Sequence, residues 1–136
     1  MNPLTKEDIL AFLQHWYILI DNHAPLEKVL ECIDHDRFEM QITDGPMILG
    51  AAGFSAWYCE KVTTSFDSVH TVHNVDITLD GNQAEVVVSA DWAGRNWIVP
   101  GIKSEAVAFK DKLILHIFRD KKEQIRFCKY LVQSAD

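Results

Sequence analysis

The sequence predicts an α+β fold in which N-terminal helices pack on a curved, mostly antiparallel sheet to form a cone. The predicted order is helix, helix, strand, helix, four strands. Three observations carry it. Apolar residues recur at three- and four-residue spacing early in the chain, they alternate at period two over most of the rest, and tight turn signals punctuate the alternating part.

The first helix is announced by Thr5 with Asp8 three residues on, a capping box with Asp in the Glu position, and by Leu4 and Ile9 placed as a hydrophobic staple. Ile9, Phe12, Leu13, Trp16, Tyr17 and Ile20 then line one wide aromatic face until Asp21-Asn22-His23 interrupts it. Pro25 suits the first turn of a second short helix carrying Leu26, Val29, Leu30 and Ile33.

Phe38, Met40 and Ile42 alternate with Glu39, Gln41 and Thr43, which predicts a half-buried strand that Asp44-Gly45-Pro46 stops. A third helix comes after Gly50, with Phe54, Trp57, Tyr58 and Val62 on its inner side. His73, Val75, Ile77 and Leu79 alternate up to Asp80-Gly81-Asn82, and Ala84, Val86, Val88, Ala90 and Trp92 alternate away from it, predicting a hairpin. Pro100-Gly101 signals a further turn. Val107, Phe109, Leu113, Leu115 and Ile117 share one parity, and past the charged turn Arg119 to Glu123 so do Ile125, Phe127, Lys129 and Leu131.

With 136 residues the chain fits one domain, residues 1–136, long enough to bury a core without a disulfide or metal staple. A net charge of -7 repels phosphate backbones and anionic lipid surfaces, so neither nucleic acid nor membrane is an expected partner. The start of the chain lacks a positive segment leading into an apolar one, and no apolar run approaches a membrane span, so cytoplasmic residence is the default expectation. Cys32, Cys59 and Cys128 are an odd number at wide spacings and read as reduced thiols rather than a disulfide framework or metal site.

The order of elements, with a glycine-started third helix between the first strand and a long meander, resembles the nuclear transport factor 2-like superfamily with its cystatin-like cone. More narrowly it is similar to the ketosteroid-isomerase-like and SnoaL-like members. The residues that carry the resemblance are Gln14-His15-Trp16, Ile42-Thr43-Asp44, Gly50 to Tyr58 and Gly94-Arg95. The resemblance implies that Asp44, just after the first strand, moves a proton. It places Trp16 where such isomerases carry a tyrosine oxyanion donor, and it sets a second donor at Glu105 or close to His116.

From the residues themselves, Asp44 is either a general base at the cavity mouth or a turn-former that satisfies its own backbone. His116 and His73 are either donors facing an apolar layer or neutral histidines held by one backbone group. His70 and His73, three apart on a strand, face opposite ways, so no metal site is expected, and no cofactor motif is present. Phe12, Trp16, Met40, Trp57, Tyr58, Trp92 and Trp97 are the expected walls for a small apolar or ring-containing ligand. Trp57 and Tyr58, adjacent on one helix, cannot both point fully inward.

The expected function is binding of such a molecule, with cofactor-free isomerase, dehydratase or cyclase chemistry in which Asp44 is the base and His116 the donor. The alternative is a non-catalytic homodimeric module whose own aromatics fill the cavity. Apolar residues on both parities of the meander, as in Val86, Val87 and Val88, predict a homodimer through the sheet face.

Overall fold

Thr5 caps the first helix as expected: its hydroxyl accepts the Asp8 N–H and the Asp8 carboxylate accepts the Thr5 N–H, each at 3.1 Å. The computed structural model describes residues 3–99, 102–105 and 107–134. Helix α1 spans Lys6–Asp21 and buries Ile9, Phe12, Leu13, Trp16, Tyr17 and Ile20, the face predicted from spacing. Helix α2, Leu26–Leu30, starts after Pro25 and buries Val29. Strand β1, Glu39–Ile42, and the two-residue β2, Ile48–Leu49, precede helix α3, Gly50–Thr64. Gly50 has φ +64°, a left-handed conformation that glycine adopts without strain, and a Cβ there would stand 3.1 Å from the His35 carbonyl oxygen. No helix among the described residues is long and apolar enough to cross a membrane.

The meander consists of β3 (Ser65–Asp80), β4 (Gln83–Val99), β5 (Ile102–Lys103), β6 (Val107–Arg119) and β7 (Ile125–Ser134). The sheet runs β2-β1-β7-β6-β4-β3, with β5 paired to β4, and among the described strands only β1 and β7 pair in parallel. Alternation aligns inward side chains in rows across the strands. One row is Met40, Tyr130, Leu115, Val86 and Ile77; the next is Ile42, Val132, Leu113, Val88 and Val75. The helices cover this concave face. Phe127, fully buried, centres the core, its ring 4.8 Å from Phe12, 4.9 Å from Trp16 and 5.3 Å from Tyr130. Removing each such large ring from water contributes about 1.5–3 kcal/mol.

The structure departs from the predicted pattern where the ladder slips. Strand β3 begins at Ser65, directly after α3, and not near His73. Its register shifts between Phe66 and Val69 and between Val72 and Asn74, and each bulge reverses the parity of the residues after it. In β7 the shift opposite His116 and Ile117 makes Cys128 the extra residue, so Phe127 and Tyr130 both face inward although they are three apart. The short β2 and β5 carry too few residues to show a period. The predicted Pro100-Gly101 turn lies outside the described residues.

Candidate functional site

Where α1, α3 and the wide end of the sheet diverge, a cavity of about 400 Å³ remains. Helix α1 contributes Trp16 and Ile20, and α3 contributes Trp57 and Lys61. Met40, Ile42 and Thr43 come from β1 and its end, His70 from β3, and Trp92 from β4. Phe109, Asp111 and Leu113 come from β6, with Tyr130, Val132 and Ser134 from β7. Most of this wall is apolar or aromatic, and Phe109, 54% exposed, marks its mouth.

One polar cluster is built into that wall. Asp21 is the last residue of α1, where the helix dipole disfavours a carboxylate and no basic residue sits in the last turn to offset it. Its partners come instead from β3. Asp21 Oδ1 accepts from Ser68 Oγ at 2.8 Å and lies 2.6 Å from His70 Nδ1, while Oδ2 accepts the His70 backbone N–H at 3.0 Å. The first bulge of β3, with Asp67 at φ +55°, turns Ser65 and Ser68 both inward and so delivers this contact. Burial pushes the Asp21 carboxyl up, but the His70 hydrogen bond and charge, its backbone N–H and Ser68 together hold it below the usual carboxylate range. With Nδ1–H committed to Asp21, the hydrogen bond assigns Nε2 of His70 as the nitrogen left for proton transfer. The same pair also borders a groove of about 430 Å³ between α1 and β3, lined by Tyr17, Val72 and Val75 among others.

Two aromatic residues, Trp92 and Tyr17, pack against this cluster. Trp92 Nε1 donates to Ser68 Oγ at 2.9 Å. Its ring lies across Gly94, where a Cβ would come within 2.6 Å of Trp92 Cζ2. The Tyr17 ring packs 4.8 Å from that of His70, and Trp16 Nε1 donates to Tyr130 Oη at 3.4 Å. Burial pushes the Tyr130 phenol up to about 12 and that of Tyr17 higher still, so both stay neutral hydroxyls at physiological pH. Lys61 holds its ammonium 5.5 Å from the Trp57 ring and 5.2 Å from that of Trp92. Burial lowers its pKa, against a raising effect from the Asp21 charge.

Of the residues singled out in the sequence, Trp16, Met40, Trp57 and Trp92 line the cavity. Phe12 does not: it packs on Phe127 in the core. Tyr58 is buried on the other side of α3, stacked on Phe54, and donates to the Ala24 carbonyl at 2.6 Å; of the adjacent pair, Trp57 takes the cavity. Asp44 is exposed and borders a polar depression with Gln41, Leu131 and Gln133, which adjoins the cavity through Thr43, Val132 and Ser134. His116 faces the opposite side of the sheet from Leu115 and Ile117, between Glu85 and Lys129, because strand alternation sends it outward.

His73 is also turned outward, since it is the extra residue of the second β3 bulge. It is 53% exposed and pairs with Asp91 at 2.8 Å, while His70 faces inward. Backbone pairing sets Trp97 opposite Lys103, but its side chain lies outside those described. Asp21, Ser68, Lys61 and Tyr130 join the site without having been singled out by pattern or spacing, and His70, weighed in the sequence only as half of a metal pair with His73, joins it as the partner of Asp21. One signal was present, because Asp21 is four residues past Tyr17 and so continues the buried stripe of α1.

No family model matches the sequence. Among curated proteins it matches the UvrABC system protein C of Hydrogenobaculum sp. (strain Y04AAS1), 26% identical over 133 residues, covering 91% of this chain. The chain spans only 23% of the length of that relative. Solved structures align over nearly the whole chain. A candidate aromatic ring hydroxylase from Novosphingobium aromaticivorans superposes with TM-score 0.82 at 14% identity, covering 94% of this chain and 87% of that one. A candidate scytalone dehydratase from the same organism gives TM-score 0.82 at 12% identity, covering 94% and 82%. A candidate dehydratase of the NTF2-like family from Streptomyces avermitilis gives 0.81 at 10% identity, covering 96% of each chain. Architecture, strand order and these superpositions agree that the chain has the fold of the nuclear transport factor 2-like proteins.

Proposed function

We propose that this protein binds a small, largely apolar, ring-containing molecule in its cone and acts on it by cofactor-free acid–base chemistry, an isomerisation, dehydration or cyclisation. The observation that carries this reading is the 2.6 Å contact between His70 Nδ1 and Asp21 Oδ1 in the wall of the aromatic cavity. Asp21 fixes the tautomer and stabilises the imidazolium, and Nε2 takes and returns the proton. In this reading the base is His70 rather than Asp44, the base expected from the sequence, because the Asp44 carboxylate is exposed and borders the adjoining polar depression. The candidate dehydratases of the same fold are in keeping with such chemistry. An open cavity of about 400 Å³ favours a ligand over the alternative of a cone filled by its own aromatics.

The test is a screen of small cyclic β-hydroxy ketones, tracking the conjugated product by ultraviolet absorbance. Turnover should fall at least about 100-fold in His70→Asn, with the fold intact by circular dichroism. Undiminished turnover in that folded variant would sink the reading.

We also propose that the protein is a homodimer through its sheet face. Val87, Ile114 and Leu131 form a half-exposed apolar row across the outer face of β4, β6 and β7, which the helices do not cover. Sedimentation should show a dimer at micromolar concentration, and Ile114→Asp should shift it to monomer. A monomeric native protein would remove the claim.

A further inference from the structure

Lys61 is the unexplained group of the cavity. It enters from α3 opposite the strand that carries His70, half-buried among aromatic walls where an isolated ammonium is costly. Its ammonium rests near two indole rings, and among the described residues it has no ion pair. Cation–π contacts hold such a charge in place without neutralising it. Of the nearby carboxylates, Asp21 is tied up by Ser68 and His70, and Asp111 lines the same cavity from β6 beside Phe109 and Leu113, its charge felt by Tyr17 and Tyr130.

We propose that Lys61 is the anion-recognising residue of this cavity, and that the molecule bound there presents a carboxylate or a carbonyl oxygen to it while its ring lies between Trp57, Trp92 and Phe109. The chemical half of this inference rests on the His70–Asp21 reading; the recognition half does not. With a cyclic β-hydroxy carbonyl compound, His70 Nε2 takes the α-carbon proton, and the C–H electron pair moves toward the carbonyl, leaving an enolate oxygen against the Lys61 ammonium. The enolate collapses to restore the carbonyl and forms the α,β double bond as the β C–O bond breaks. His70 returns its proton to the departing hydroxyl, which leaves as water. Lys61 thus stabilises the charge that develops as His70 removes the proton, and a preorganised cation in an apolar wall is effective there.

The experiment compares cyclohexanecarboxylate with cyclohexanecarboxamide, two ring probes of like shape that differ in charge, titrated at pH 8 by quenching of tryptophan fluorescence. Trp57 and Trp92 flank Lys61 and report directly. The carboxylate should bind about 10-fold or more tightly than the amide, a factor in keeping with one charge-assisted hydrogen bond. Lys61→Met should bring the two to equal affinity, most of the loss falling on the carboxylate, and Lys61→Arg should keep the preference. Lys61→Gln serves as the second neutral variant should the methionine form fail to fold. No carboxylate binding at millimolar concentration, equal binding by the native protein, or a preference that survives in Lys61→Met or Lys61→Gln would overturn the inference. His70→Asn separates the two readings, because equilibrium binding needs no proton transfer: the preference should persist in it while turnover is lost.

Discussion

His70 Nδ1 stands 2.6 Å from Asp21 Oδ1 across 49 residues of sequence, joining the end of the first helix to the start of the long meander. Both residues depart from a local rule. An aspartate closes a helix at its negative end, and the strand bearing the histidine is bulged just before it. Local rules are broken most often at functional sites, where the gain is realised in tertiary contact.

The depressed Asp21 carboxyl predicts part of the acid sensitivity of the fold. Its folded value lies below the ordinary aspartate value of 3.8, so the unfolded chain binds the proton more tightly. The stabilisation it gives is full above about pH 4 and is lost as pH falls through the lower, folded value. Urea midpoints taken from pH 7 down to about pH 2.5 should therefore fall more steeply for the native protein than for Asp21→Asn. Parallel curves would show that the pair contributes nothing to stability.

Gly94→Ala should disturb the cavity without unfolding the protein. The new methyl group would meet the Trp92 ring at 2.6 Å, so the indole must swing away and lose its bond to Ser68 Oγ. A changed tryptophan emission spectrum with weakened ring-probe binding is the expected outcome. An unchanged spectrum would mean that Trp92 does not rest on Gly94 in solution.

Phe127→Ala should be among the most damaging single changes. It removes the ring that Phe12, Trp16 and Tyr130 all pack on, and a fully buried Phe→Ala costs about 3–5 kcal/mol. Chemical denaturation measures it directly. A loss under about 1 kcal/mol would contradict the packing described.

Asp44→Asn and His116→Ala test the sequence-based assignment against the structural one. Both side chains lie off the cavity wall, one in an exposed turn and one on the outer sheet face, so turnover of any substrate found should stay within about twofold of the native rate. A large drop in either folded variant would return the proton transfer to that residue.

The helices, the strands and the cone are legible in local sequence. Thr5 with Asp8 fixes where α1 begins, Pro25 and Gly50 set the next two helices, and the alternations around Met40, Val86 and Leu115 decide which strand faces form the core. These are local signals, carried by residues within a few positions of one another. The candidate site depends on tertiary contacts. Bulges in β3 and β7 reversed the parity on which His73 and Leu131 were assigned, and a bulge leaves no periodic mark because it is a single extra residue whose effect depends on the partner strand. The pairing of Asp21 with His70, and the placing of Lys61 against Trp92 of another element, are contacts between distant segments. No spacing rule encodes such contacts; they exist only once the helices have closed over the sheet.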